Sequence, residues 1–523
     1  MTLPKRDSLV FKLGDSKHTA LKRFLALERR LAGNTIVKTM YEQFIEEYLR
    51  LGHMREVTDD DESTAPQYYI PHHYVLRPDS STTKLRVVFD ASCTTSSGIS
   101  LNDSLLIGPT VQDDLLAIVL RFRLHRYAVV ADIEKMYRMV RVQPGDWRLQ
   151  RIFWRANRNE FIRIFELQTV TYGTASAPYL ATKCLKRLAE LDGSKYPAAA
   201  KVLAEDFYVD DMMSGTDSID EGVRLCASMQ ALLNGGGFTL RKWSSNCPAI
   251  LEQIPDGFKD DRTSFELDES SATIKTLGLI WEPRLDCFKF RIPEWNSSEI
   301  CKRTVVSDLA KVFDPLGLVG PIVITAKIFV QSLWKQKVSW DETLAHELKM
   351  QWNEFRHGLE NLVNLKVPRW IAFNNDCRTV ELHGFCDAST VAYGACIYLR
   401  CTHHDESVTS HLIAAKSRVA PLEDMKKRKK KQSIPRLELS SALLLTHLSE
   451  KVVSSLKISA RQHYWTDSMI VRYWLASVPL VGKCLWPTEC LKSSTQLKME
   501  GGVMSQVQIT QPMFFRVALQ PNN

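Results

Sequence analysis

The sequence predicts an α+β chain of two or three domains, and three observations carry that reading. Its 523 residues exceed what a single hydrophobic core usually organises. Apolar residues between 14 and 52 recur at helical spacing: Leu21, Phe24, Leu25, Leu27 and Leu31, then Met40, Phe44, Ile45, Tyr48 and Leu49. Further on, β-prone Phe207 and Val209 lead into Asp210-Asp211, and Met212-Met213-Ser214-Gly215 follows, which reads as strand, acidic turn, strand.

The remaining elements follow in chain order. Asp59-Asp60-Asp61-Glu62 reads as a solvated acidic loop, because no strand or helix orients the side chains. His72-His73 precedes the strand Tyr74-Val75-Leu76; adjacent residues on an extended chain point to opposite faces, so the pair is discounted as a metal site. The apolar run Tyr127-Ala128-Val129-Val130-Ala131 looks like a buried strand that delivers Asp132 to an open edge. Alone, Tyr208-Val209-Asp210-Asp211 is a weak motif that fits a solvated loop better than a cation site. Val312 to Pro321 reads as a helix end, a Pro/Gly turn and a hydrophobic restart. Leu382 to Phe385 then leads into Asp387, and Tyr393 to Leu399 is its paired strand. Pro435 suits a helix start, with Glu438 on that helix and Leu437, Leu444 and Leu448 on its buried side. Asp467 ends the aromatic strand Tyr464-Trp465-Thr466, and no Asp occurs after it. Met425 to Lys431 is a basic run read as a solvated loop, with nuclear import or RNA contact as minority readings.

Composition narrows the function classes. A formal charge of +8 suits a polyanionic partner, although the excess is modest and spread along the chain. The 12 Cys include no Cys-x-x-Cys pair, which argues against a disulfide framework and a zinc ribbon. No hydrophobic stretch is long enough to span a bilayer, and the first residues lack the apolar core of a secretion signal. An intracellular chain with no membrane partner is the expectation.

The ordered motifs resemble the reverse transcriptase of retrotransposon polyproteins, most closely the Pao/BEL group. Lys84 to Ser92 resembles the fingers strand whose Arg, here Arg86, grips an incoming triphosphate. Asp132-Ile133-Glu134-Lys135-Met136-Tyr137 is similar to the first acidic motif, with Tyr137 at the sugar-screening position. Gln168 to Pro178 resembles the Gly-containing motif that opens the template-holding helix. Phe238 to Trp243 resembles the palm motif with its Lys, here Lys242, and Leu277 to Trp281 the primer-grip hairpin. Val312 to Pro321 is similar to the Pao-group connection, followed by helices around Trp334, Trp340 and Trp352. Asp387, Glu438 and Asp467 resemble three members of a ribonuclease H-like carboxylate cluster, whose fourth member is missing.

The resemblance implies a right-hand polymerase of fingers, palm and thumb, followed by an incomplete ribonuclease H-like α/β domain. The implied boundaries are a helical entry segment at 1–60, fingers and palm at 61–290, thumb and connection helices at 291–375, a ribonuclease H-like domain at 376–480 and a divergent tail at 481–523. It implies two Mg²⁺ (or Mn²⁺) ions held by Asp132, Asp210 and Asp211, with dNTPs and an RNA or DNA template with its primer as partners. Hard oxygen ligands suit such ions and leave positions open for phosphates. Arg86 offers a planar fork for phosphate oxygens, and Lys242 is placed to protonate the leaving pyrophosphate; the competing reading of each is a solvated cation. Tyr137 is either a gate against a ribose 2′-hydroxyl or a core tyrosine. Gln168 either bonds template or nucleotide or is a surface polar residue, while Gly173 permits close backbone approach. By resemblance the chain is a fragment of a longer polyprotein in a cytoplasmic particle, with a nuclear location as the alternative. Two other functions stay open: a catalytically dead remnant that binds nucleic acid, and an aspartic peptidase. The peptidase lacks the Asp-Thr-Gly or Asp-Ser-Gly loop it needs, since Phe89-Asp90-Ala91-Ser92 and Phe385-Cys386-Asp387-Ala388-Ser389 both want the Gly.

Overall fold

The computed structural model describes residues 1–57, 65–76, 84–260, 265–266, 279–290, 295, 299–374, 377–422 and 432–476. The acidic run at 59–62, the basic run at 425–431 and the tail beyond 476 lie outside the described residues, as do Leu277 and Gly278 of the primer-grip resemblance. Two compact units emerge, described in turn. The first gathers Met1–Asp113, Ala131–Met212 and Arg224–Lys242; the second gathers Asp114–Val130, Met213–Val223 and the described residues from Trp243 onward.

In the first unit the predicted helical rhythm becomes helices Lys17–Ala32 and Thr35–Arg50. Asn34 caps the second, its side chain accepting the Val37 N–H at 3.1 Å. Ala20, Phe24, Leu27 and Leu31 form one buried stripe and Val37, Tyr41, Ile45 and Tyr48 the other. Leu25 and Leu49, expected in those stripes, are exposed, because each sits about 100° around the helix from its buried neighbour. Against the second helix lies a hairpin of His72–Leu76 and Leu85–Phe89. His72 is buried, hydrogen-bonded to the Tyr41 hydroxyl and, at 2.9 Å, to the Phe153 carbonyl, so it is a core residue. In the second strand Leu85, Val87 and Phe89 are buried, which turns Arg86 to the opposite face.

The first candidate site is carried by a four-stranded sheet whose order is Phe207–Tyr208, Asp211–Thr216, Tyr127–Ile133 and Leu240–Ser245. Residues Ala128 to Ala131 are fully buried, as their continuous apolar run predicts.

In the second unit, Leu279–Glu282 and Cys287–Phe290 form an antiparallel hairpin. Helices Lys302–Ala310, Gly320–Lys335 and His346–Glu360 follow, around a core that includes Val305, Ala326, Leu333 and Trp352. Trp334 and Trp340 are instead partly exposed, flanking Lys302, whose Nζ lies 4.0 and 5.2 Å from their ring centres. The turn at Asp314–Gly317 is held by the Asp314 carboxylate, which accepts the N–H groups of Leu318 at 2.9 Å and Val319 at 2.8 Å. Gly317 has φ +74° and a Cβ there would lie 1.9 Å from the Ala415 carbonyl oxygen, so only glycine fits. The last sheet has the order Val408–Val419, Ala392–Thr402, Thr379–Ala388, Arg461–Trp465, with the final pair parallel. Helix Ile434–Leu456 covers it with Leu437, Leu444, Leu445 and Leu448, packing so closely that a Cβ on Gly384 would lie 2.7 Å from Leu445. Among the described residues no helix is long and apolar enough to cross a membrane.

Candidate active sites

Asp132 comes from the strand Tyr127–Ile133, next to its last residue. Asp210 lies in the two-residue turn between Phe207–Tyr208 and Asp211–Thr216, where Tyr208 pairs with Asp211 and Phe207 with Met212. Backbone bonds draw these pieces together: Ile133 N–H donates to the Asp210 carbonyl at 3.0 Å and Glu134 N–H to the Thr239 carbonyl at 2.9 Å. Val209, the first residue of the turn, has φ +57°, a costly conformation for a β-branched residue. Gln112 holds it there, its Oε1 accepting the Val209 N–H at 2.9 Å and its Nε2 donating to the Val209 carbonyl at 3.3 Å. Nothing in the local sequence around Gln112 marks it for this role; only the fold brings it to a turn 97 residues away. Two more non-glycine residues with positive φ, Lys135 and Lys242, sit beside the site.

The electrostatics are those of carboxylates short of positive charge. Burial, and then the neighbouring Asp132, push the Asp210 carboxyl up to about 7, while Lys242 and Arg86 pull it down. Asp210 Oδ1 is buried and has no hydrogen-bond partner. Lys242 Nζ lies 2.6 Å from Asp132 Oδ2, and Arg241 pairs with Glu134 at 2.7 Å. Asp211 is buried. Tyr137 is half-buried, and burial, with a contribution from Asp210, raises its hydroxyl to about 12. Arg86 stands 5.9 Å above the Tyr172 ring. Gly173, at φ +98°, passes so close to Phe89 that a Cβ would lie 2.3 Å from its carbonyl oxygen. Asn102 Nδ2 donates to the Gly173 carbonyl at 3.1 Å and its Oδ1 accepts the Ala175 N–H at 2.7 Å, fixing this loop. Gln168 is half-buried, and its backbone is held by His53 and Val142.

A second carboxylate set lies in the second unit. Parallel pairing puts Phe385 opposite Trp465, so Asp387 and Asp467, each two residues further on, emerge side by side at the C-terminal ends of their strands. Glu438 reaches them from the first turns of its helix. The ligand atoms of Asp387, Glu438 and Asp467 all lie within 4.8 Å of one another. Burial, then Asp387 and Asp467, raise Glu438 to about 7, and its Oε2 is buried without a hydrogen-bond partner. Burial also raises Asp387, with Asp467 adding to it. Three mutually repelling carboxylates, one of them buried, fit a divalent cation that would replace the missing charge and accept the orphaned oxygen. At the first site the orphaned Asp210 oxygen and the raised carboxyl fit a cation in the same way.

The fold is mixed α+β and is similar to that of solved retroviral reverse transcriptases. Residues 301–468 match the family model described as "Pao retrotransposon-like RNaseH-like domain". The foamy viral protease-reverse transcriptase, solved with an RNA/DNA hybrid, is similar at a TM-score of 0.55 and 14% identity, covering 92% of this chain and 56% of that one. A second foamy viral protease-reverse transcriptase structure, with double-stranded DNA, gives a TM-score of 0.51 at 15% identity, covering 84% of this chain and 64% of that one. The chain thus spans little more than half the length of the first solved relative, and the likeness concerns the fold. No curated protein matches the chain. The Pao/BEL resemblance read from the motifs is borne out.

Proposed function

We propose that this chain is the reverse transcriptase portion of a Pao/BEL-type polyprotein, extending a primer from dNTPs on an RNA or DNA template. The observation that supports it best is the meeting of Asp132 with the strained Val209-Asp210 turn, where burial and a like charge lift Asp210 to about 7. In this reading Asp132 and Asp210, with Asp211 beside them, hold two Mg²⁺ (or Mn²⁺) ions. Ions held there would supply a lowered pKa at the primer 3′-hydroxyl and charge compensation for in-line displacement at the α-phosphorus. The new bond joins the 3′-oxygen to that phosphorus as the bond to pyrophosphate breaks. Arg86 binds the triphosphate through its guanidinium fork. Lys242, which balances Asp132, carries the proton given to pyrophosphate. Tyr137 fills the space of a 2′-hydroxyl, and Gln168 and Gly173 line the template and nucleotide side.

Primer extension on homopolymer RNA with Mg²⁺ or Mn²⁺ tests this reading. Asp210→Asn keeps the side chain's shape but removes its charge, so extension should fall at least about 100-fold with template-primer binding retained. Extension by Asp210→Asn at the parental rate would overturn the assignment of this turn, and no extension by the parent chain would favour a nucleic-acid-binding remnant.

A further inference from the structure

Away from both carboxylate sets, the last sheet carries another trio, Glu381, His383 and His463, whose ligand atoms also lie within 4.8 Å of one another. The strand period places Glu381 and His383 on one face, and parallel pairing sets His463 directly opposite His383. The two imidazoles stack with centroids 4.9 Å apart and planes at 18°. Glu381 faces both: Oε1 is 3.6 Å from His463 Nε2 and Oε2 is 3.7 Å from His383 Nε2. Those separations are too long for hydrogen bonds, and His383 Nε2 is a buried nitrogen with no partner. They are close to the roughly 3.3 Å that separates two ligand atoms bound at about 2.0 Å to one tetrahedral zinc ion.

We propose that Glu381, His383 and His463 form a binding site for a zinc-class divalent cation, which ties strand Thr379–Ala388 to the neighbouring strand Arg461–Trp465. Two imidazole nitrogens and one carboxylate select such an ion over Mg²⁺, which prefers oxygen ligands. Arg400 Nη1 lies 2.5 Å from Glu381 Oε2, orienting the carboxylate and leaving Oε1 for the ion. Its positive charge also weakens binding. Trp465 Nε1 donates to His383 Nδ1 at 3.2 Å, which keeps the neutral ring's hydrogen on Nε2. A bound cation takes the place of that hydrogen, which moves to Nδ1, and the indole N–H must then turn away. Asp387 lies six residues along the same strand, on the order of 20 Å from Glu381, so this site is separate from that carboxylate set. The proposal does not depend on the polymerase reading.

Zinc titration of the metal-stripped full chain, with bound metal measured after ultrafiltration, tests it. Cysteines and other histidines bind zinc in the background, so the readout is a difference between variants. His463→Ala and Glu381→Gln should each lose one equivalent or bind it at least about tenfold more weakly, whereas His447→Ala, at an exposed histidine outside both trios, keeps it. His463→Asp restores a ligand atom and should recover part of the affinity. Trp465→Phe removes the donor that opposes the required tautomer and should tighten binding severalfold. Unchanged zinc stoichiometry and affinity in both His463→Ala and Glu381→Gln would overturn the proposal.

Discussion

Tyr137 is a side chain whose residue type leaves two roles open. Its sequence position allows either a sugar gate or a core tyrosine; in the fold the ring is half-buried, with Asp210 raising and Arg86 lowering its hydroxyl pKa, and the proposed function takes it as the gate. Tyr137→Ala should therefore raise ribonucleotide over deoxyribonucleotide incorporation by about tenfold or more, measured in competition during primer extension. An unchanged ratio would return the ring to a packing role. His72 presents the opposite case, a titratable residue with a purely structural job. Its ring is neutral by construction: Nε2–H donates to the Phe153 carbonyl and Nδ1 accepts from Tyr41. Burial is the main cause that lowers its pKa to about 4, below the ordinary 6.5. The unfolded chain thus binds more protons between those values. Stability from this group is complete above pH 6.5 and is lost as pH falls toward 4, a change on the order of 3 kcal/mol. Urea midpoints at pH 7 and pH 5 should fall less for His72→Gln than for the parent; an identical drop would show that other groups govern the acid limb.

At the scale of elements, the turn Val209-Asp210 is the informative piece. A primed hairpin needs positive φ at its first central residue, where glycine or asparagine is the usual choice. Here valine takes it, and Gln112 bonds both of its backbone polar groups. Gln112→Ala removes this clamp and should cut extension about tenfold through kcat, with little change in KM for the template-primer, because Asp210 loses its fixed position. Wild-type kcat in that variant would assign the strain to local packing alone. The apolar run at Tyr127–Ala131, the Pro-started helix at Ile434 and the entry helices were legible because each announces itself by period or punctuation within its own residues. The exposure of Leu25 and Leu49 was not, since a run of nearby leucines fits two overlapping helical stripes until a neighbouring element selects one.

For the whole molecule, the carboxylate trio Asp387, Glu438 and Asp467 raises the question of a second activity. The three side chains are gathered tightly, and the fourth acidic residue that the resemblance implies is not among them. Losing a ligand should loosen at least one of the two ions that hydrolysis by such a site uses. The expected outcome is weak or no cleavage of the RNA strand in a labelled RNA–DNA hybrid, even if primers are extended. Robust cleavage that disappears in Asp387→Asn would show that three carboxylates suffice. The sequence by itself determined the class of the elements that carry a clear period or turn, and the identity of the acidic residues, because strand period, turn chemistry and motif order are local properties of the chain. Tertiary structure alone decided that Lys242 balances Asp132, that Gln112 braces Val209, and that His463 stands opposite His383. Each of those meetings joins residues far apart in sequence, so it depends on strand register and packing, which no local pattern encodes.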